Sequence, residues 1–261
     1  AGPAQKAGRR RPVALAVLPM PAMPATLQRL WTHLRQLFAE LGYWNGLLYL
    51  TGELLRRGSG GHIHLIRYAI VAQPVRPGQL SATGSTTLIR CVSADDPLVA
   101  AFPRPPAVIA QRYRSGSICF AAQVKQRFAG FLWLSFGQHD EDEVRCRYEL
   151  VDAARCAWDF DVHVEPDFRM GRTFARLWDR ANQHLNERGI AWSLSRISTF
   201  NPASLRAHAR LGTLRLGTAT FLRVGPGQLA IFDTPPFLHL SLHRGAIPRL
   251  RLRPPYQLSE G

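Results

Sequence analysis

Three ionisable side chains fall at alternate positions of one apolar run. Asp159, Asp161 and His163 interleave with Trp158, Phe160, Val162 and Val164, and a period of two places the first three on one face of a strand predicted over 156–164. Ionisable groups on a central strand are costly unless they are paired or used. Carboxylates and an imidazole can move protons, so Asp159 is the first candidate for a general base, directly or through water, and Asp161 the second. The structural alternative for both is an ion pair with an arginine such as Arg196.

Two further groups of residues flank the helix that follows. Arg169-Met170-Gly171-Arg172-Thr173-Phe174 leads into a helix predicted over about 171–187, with Leu177 and Trp178 on its buried side and Gly189 after its end. A tight turn feeding a helix presents unpaired backbone N–H groups at the positive end of the helix dipole, which suits a pyrophosphate. Beyond a strand predicted over 192–198, Asn201, Ser204, His208, Arg210 and Gly212 stand at offsets 0, 3, 7, 9 and 11. Asn201, with Pro202 behind it, is either a ligand-binding amide or a helix N-cap. His208 is either a proton donor or a surface histidine.

The elements that must position these groups follow from periodicity and breakers. Leu27, Leu30, Trp31, Leu34, Leu37, Phe38 and Leu41 recur at three and four, giving an amphipathic helix with Arg29, His33 and Arg35 on its polar face and a break at Gly42. A second apolar stretch, Trp44 to Leu55, stops at Arg56-Arg57 before Gly58-Ser59-Gly60-Gly61. Such a helix either covers a neighbouring core or rests on an anionic membrane surface. A strand is predicted over 62–73, and Pro74, Pro77 and Gly78 mark a boundary. The expected division is a basic leader and helical extension over 1–80, a main domain over 81–225, and an Arg/Pro-rich tail over 226–261. Within the main domain, strands are predicted at 86–92, 117–124, 128–136, 144–151, 156–164, 192–198 and 214–224. Short helices fall in 95–114, longer ones at 171–187 and 202–210, and an acidic turn at 138–143. Consecutive strands followed by alternating strands and helices imply a mixed sheet with helices on both faces.

The block from 156 to 212 resembles the GNAT superfamily of acyl-CoA-dependent N-acyltransferases. The Val164-Glu165-Pro166 run, the arginine-containing turn and the following helix are similar to that family's cofactor segment. The Asn201 to Gly212 offsets are similar to its N-x-x-A-x-x-x-Y-x-K-x-G pattern. The resemblance covers roughly 86–224 and implies an α/β fold with an α+β mixed sheet, GNAT-like, carrying an N-terminal helical extension. It implies acetyl-CoA or another acyl-CoA as co-substrate and direct transfer to a small-molecule or peptide amine. It places the thioester in a gap between strands 157–164 and 192–198, polarised by backbone N–H groups near His163 and Val164, with Asn201 and Ser204 beside the pantetheine. His208 stands where the family usually has a tyrosine acid. The phosphate loop departs from the usual Q/R-x-x-G-x-G/A: counted from Arg169, the positions of the small residues hold Arg172 and Phe174. Glycine there lets backbone approach phosphate, and Gly171 with the Arg172 guanidinium is the available compensation.

Composition narrows the remaining classes. With 261 residues, 46% of them hydrophobic, the chain can bury a sizeable core. A formal charge of +15 divides into +9 over residues 1–94, −4 over 95–167 and +10 over 168–261, pointing to an anionic partner. Arginine dominates: only Lys6 and Lys125 are lysines. The acidic run Gln138 to Glu143 reads as a solvated turn or as an attractor of cationic amines. Cys91, Cys119, Cys146 and Cys156 form no zinc-spaced pair, so no metal is expected, and reduced core thiols in a cytoplasmic protein are. No apolar run of membrane-spanning length occurs. The segment Arg9 to Pro24 imitates a signal peptide but is broken by Pro19, Pro21 and Pro24, and is read as a disordered basic leader. Ser193 and Ser195 share a strand face without a G-x-S-x-G elbow, which argues against a serine hydrolase. The alternatives are a catalytically silent acyl-CoA-binding module, or a nucleic-acid binder lacking any recognised motif. A homodimer is also expected to be possible.

Overall fold

The computed structural model describes residues 24–76, 87–243 and 245–255, so the basic leader expected before Pro24 lies outside the described residues. Helices α1 (Ala25–Leu41) and α2 (Tyr43–Gly58) meet at Gly42, whose φ of 75° suits glycine. Then come β1 (Ile63–Pro74), β2 (Thr87–Val92), a 3-10 turn Pro97–Ala101, α3 (Pro106–Arg114), β3 (Ile118–Val124), β4 (Arg127–Ser135), β5 (Gln138–Asp140) and β6 (Arg147–Leu150). The functional block supplies β7 (Cys156–Val164), a 3-10 turn Pro166–Phe168, α4 (Thr173–Glu187), β8 (Trp192–Ser198) and α5 (Pro202–Ala209). The chain continues through β9 (Leu214–Val224), β10 (Gly227–Phe232), β11 (Leu238–Ser241) and β12 (Arg249–Leu252).

Among the described residues nine strands form one mixed sheet in the order β11-β10-β9-β1-β8-β7-β4-β3-β2, and β12-β6-β5 form a second. Helix α4 seals one face of the large sheet, with Leu177, Trp178, Ala181 and Leu185 buried against Phe120, Leu132, Leu134 and Ala157. On that same side α2 lies against β1, where buried Gly52 lets the helix approach Leu65 so closely that a Cβ would stand 3.2 Å from the leucine. The small sheet and α3 cover the other face through Tyr148, Leu150, Leu250, Leu252 and Ile109, packed with Trp133 and Trp158. The two faces therefore differ: helices cover one, and a second sheet does most of the covering on the other.

The expected domain limits are corrected by strand pairing. Tyr68 to Pro74 pair with β8 and Ile63 to Ala72 with β9, so the segment placed in an N-terminal extension is a central strand of the sheet. The presumed tail contributes β10 and β11 to the large sheet and β12, parallel to β6, to the small one. Pro74 ends β1, Pro235 and Pro236 lie between β10 and β11, and Pro248 precedes β12, so these breakers stand at strand ends and not at the edges of a domain. Helix α1 differs again: none of its residues is buried, and Leu27, Leu30 and Trp31 stand about half exposed. Among the described residues no helix is long and apolar enough to cross a membrane. Cys119, Cys146 and Cys156 are buried free thiols as expected, but Cys91 is exposed on β2 at the end of the sheet.

Candidate active site

Strands β7 and β8 run parallel and pair only from Cys156 to Trp158 against Trp192 to Leu194. Beyond that point β7 follows β4 and β8 follows β1, so the two part company and leave a cleft. Asp159 is the first β7 residue past the last pair, 2% exposed at the vertex of the cleft. The Ser193 hydroxyl donates to its carboxylate at 2.7 Å. Burial pushes the Asp159 carboxyl up to about 7, and hydrogen bonds from Ser193 and Ser195 only partly oppose that rise. Among the described residues no cationic side chain is paired with it. Ser193 and Ser195, unassigned by sequence reasoning, are thus partners of the candidate base; their alternation on a strand flanking the same gap was the available signal.

The alternation expected from Asp159 through His163 is interrupted. Phe160 pairs with Trp133 and His163 with Phe131, so Asp161 and Val162 together face only Leu132, and Asp161 adopts a φ of 48°. This β-bulge reverses the phase of the strand. Val162 and Val164 now pack on the α4 side, whereas Asp161 and His163 turn to the α3 side, away from Asp159. Asp161 is held by Arg104, which grips both of its oxygens, and by Arg112 at 2.5 Å. Burial would raise its pKa, but these guanidiniums hold it below the usual carboxylate range. Arg112 is itself buried, bonds Asp142 at 2.7 Å and lies over the Trp133 and Phe160 rings. The ion-pair alternative therefore describes Asp161, with Arg104 and Arg112 in place of Arg196. Arg196 instead pairs with Glu141, whose side chain is almost wholly buried and whose carboxylate is held low by that guanidinium against the opposing effect of burial. Asp140 pairs with Arg147 and Glu143 accepts from Tyr68, so the acidic run is solvated at Asp140, Asp142 and Glu143, as the turn reading expected, but its carboxylates are anchored and the Glu141 side chain is buried. Removing the Asp161 carboxylate leaves Arg112 short of a partner. Asp161→Ala should lose about 3–5 kcal/mol of stability by urea titration, and a loss below 1 kcal/mol would show the clasp to be dispensable.

His163 lies parallel to the Phe128 ring, with Nε2 3.2 Å from Glu165. Because the Glu165 N–H bonds Ala129 on β4, the two-residue period of the ladder turns the Val164 N–H toward the cleft and the His163 N–H back into the sheet. Of the two backbone N–H groups expected there, only that of Val164 faces the cleft. Arg169 donates from Nε to the Val164 carbonyl at 3.0 Å, which ties the turn to the strand end. Met170 and Arg172 are exposed, Gly171 has open space around it apart from the Phe168 carbonyl at 3.4 Å, and Thr173 is buried. Among the described residues no side chain caps α4, which leaves its first-turn N–H groups without a side-chain acceptor there. Phe174 points inward, edge-on to Trp178 and His208, so its side chain is a packing group, while its backbone still belongs to the helix start.

Asn201 caps α5 by accepting from the Ser204 N–H at 3.0 Å, and both residues line the cleft. The cap accounts for the amide oxygen. His208 is 6% exposed among Trp178 and Phe174, and burial pushes its imidazole down to about 4. Neither expectation for His208 holds: it is not a surface residue, and near neutral pH it is neutral and carries no extra proton to donate. Its folded pKa lies below the unfolded value near 6.5, so its contribution is present above that value and lost as the pH falls toward 4. Chemical denaturation should show about 2 kcal/mol lost between pH 8 and pH 5 from this group. His208→Phe should remove that part of the decline; an identical pH profile in the variant would locate the lability elsewhere.

Asp159, Asp161, Asn201, Ser204 and His208 meet in one cavity of about 480 Å3, which also takes in Ser195 and the Arg112 guanidinium. Among the described residues no cluster of side chains could hold a metal ion. No family model matches the chain, and no curated protein matches it by sequence. Similar solved structures include a conserved protein of unknown function from Staphylococcus epidermidis, 15% identical over 66% of this chain and 67% of that one, with a TM-score of 0.46. A GCN5-related N-acetyltransferase from Kribbella flavida is 13% identical over 66% of this chain, at a TM-score of 0.40, and the match spans 63% of that protein, less than two thirds. An aminoglycoside acetyltransferase from an uncultured soil metagenomic sample is 12% identical over 48% of this chain and 87% of that one, at a TM-score of 0.36. Likenesses at these identities and scores assign no activity to the chain.

Proposed function

We propose that the chain is an N-acyltransferase of the GNAT type, moving an acyl group, most simply acetyl, from acyl-CoA to an amine. The observation that carries this reading is the buried Asp159 carboxyl at the vertex of the β7–β8 cleft, with a pKa about 7. The co-substrate supplies an activated acyl carbon as a thioester. The uncapped start of α4 with Gly171 and the Arg172 guanidinium fits its phosphates, and the Val164 N–H fits the carbonyl oxygen in which charge develops. Asn201 and Ser204, at the start of α5, line the cleft where the pantetheine would run.

Asp159 does the proton work. An amine entering as the free base attacks the acyl carbon, the Asp159 carboxylate takes the proton from its nitrogen, and the same proton goes to the departing sulfur. Amide and thiol result, and the carboxylate is restored. A group with a pKa near the working pH serves both steps, since it gives up a proton about as readily as it accepts one. No second acid is required, which accommodates a neutral His208.

Coenzyme A should raise the melting temperature of the protein, by about 2.7 kcal/mol of stabilisation at a hundredfold excess over Kd. Arg172→Ala should weaken that response more than Arg180→Ala, because Arg180 lies over the Phe120 ring and packs against the sheet. No response at millimolar CoA sinks the reading, and equal effects of the two substitutions misplace the phosphate loop. An acyl-CoA-binding module without turnover, which the bulky Arg172 and Phe174 would favour, separates from the enzyme by release of thiol in the presence of candidate amines.

A further inference from the structure

A second cavity, of about 570 Å3, lies where the two sheets diverge, on the far side of β1 from the cleft. Its apolar lining is Ile70, Leu216, Leu250 and Leu252, closed on one side by Pro235-Pro236. The lining has a local cause. Ile70 pairs with Gly217 and Val71 with Arg215, so Leu216 is an extra residue without a partner on β1, and such a bulge re-aims a side chain.

The opposite wall is the outer edge of β12. Arg147 bonds the Pro248 carbonyl and Val151 the Leu252 carbonyl, so the even-numbered residues of this strand face β6. In a parallel ladder the odd-numbered residues then turn their backbone groups outward. The N–H and C=O groups of Arg249 and Arg251 therefore face the cavity side, where no strand covers them among the described residues. Charge adds a third feature. Arg249, Arg251 and Arg253 all line the cavity, Arg249 has Glu149 at 3.6 Å, and Arg251 has no ion pair among the described residues. A ligand matching this wall needs alternating acceptors and donors along an extended backbone, an aliphatic side chain and negative charge. A fatty acid would meet the apolar and anionic requirements but would leave the outward carbonyls without donors.

We propose that the outer edge of β12 takes an extended acidic peptide as an added strand, with one of its aliphatic side chains seated in the cavity beside Leu216. The proposal is independent of acyl transfer and needs neither Asp159 nor CoA.

The test uses the full chain and a pentapeptide mixture, acetyl-Glu-Φ-Glu-Φ-Glu-amide, with Φ an equal mixture of Val, Ile and Leu. Amide-resolved NMR titration and hydrogen exchange should show the Arg249 and Arg251 amides shifted and protected, with binding in the micromolar range. Exchanging Glu for Lys in the mixture, or N-methylating alternate peptide residues, should each weaken binding about tenfold or more. Arg251→Glu, on an exposed position, should do the same at the cost of only a small fall in Tm from the carboxylate it sets in register with Glu149, and Leu216→Trp should fill the cavity and abolish binding. Unmoved Arg249 and Arg251 amides at millimolar peptide overturn the proposal, as does equal binding by the N-methylated mixture or by Arg251→Glu. Protection by sodium dodecanoate but not by peptide would overturn it in favour of a lipid ligand.

Discussion

Asp159→Asn should reduce acyl transfer by about 10² to 10⁴ in kcat, the usual worth of a general acid–base group, while making the protein more stable at alkaline pH. Both effects have one cause. The carboxyl is fully buried and its pKa is raised to about 7 from 3.8, so the folded state resists its ionisation. A raised carboxyl contributes its stability at low pH and loses it as the pH climbs from the unfolded value through the folded one. Between about pH 4 and pH 8 the wild-type chain should therefore lose on the order of 4 kcal/mol through this group. The amide cannot ionise and removes that loss, and it can still accept from the Ser193 hydroxyl. For the wild type, kcat/KM should rise with pH and level off above about 7, because the attacking step requires the carboxylate. Activity of the variant within about threefold of wild type, far below what an acid–base group is worth, would make Asp159 a structural residue. Loss of activity together with loss of stability at pH 8 would mean that the substitution damaged the fold, and would remove the argument for burial as the source of the shift.

Truncation should separate the helical pair from the sheet. A chain beginning at residue 60 lacks α1 and α2 but keeps β1, and should unfold cooperatively with reduced stability, because Leu65 and its neighbours lose the cover of α2. A chain beginning at residue 80 should not fold. It lacks Tyr68, Ile70 and Ala72, each at most 2% exposed, and it leaves the facing edges of β8 and β9 without partners. Large core side chains are worth about 2–5 kcal/mol each, and a domain of this kind has about 5–15 kcal/mol in all. Far-UV circular dichroism and a thermal melt decide the matter: a cooperative transition in the chain from residue 80 would show that β1 is an accessory strand.

Much of the candidate site is legible in the sequence. The turn and helix at 169–187, the strand carrying Asp159, and the Asn201–Pro202 cap each depend on local rules, and each is found where those rules put it. So do α1, α2 and the break between them at Gly42. Local rules failed where distant residues decide. Alternation put Asp159, Asp161 and His163 on one face, but a single bulge against Leu132, held by Arg104 and Arg112 from the segment around α3, turned two of them over. No short-range pattern announces that bulge, because the residues that hold it lie about fifty positions away. Prolines at 74 and 77 resembled a domain boundary, yet β1 is a strand whose partners, β8 and β9, come more than a hundred residues later.

Ionisation followed the same division. The sequence alone determined that Asp159, Asp161 and His208 could move protons, since that is a property of residue type. Tertiary structure alone decided which of them changes its ionisation near neutral pH. Desolvation and the nearest countercharge set a pKa, and neither is a local quantity: two guanidiniums keep Asp161 ionised, an apolar pocket keeps His208 neutral, and burial beside two hydroxyls leaves Asp159 poised between its forms.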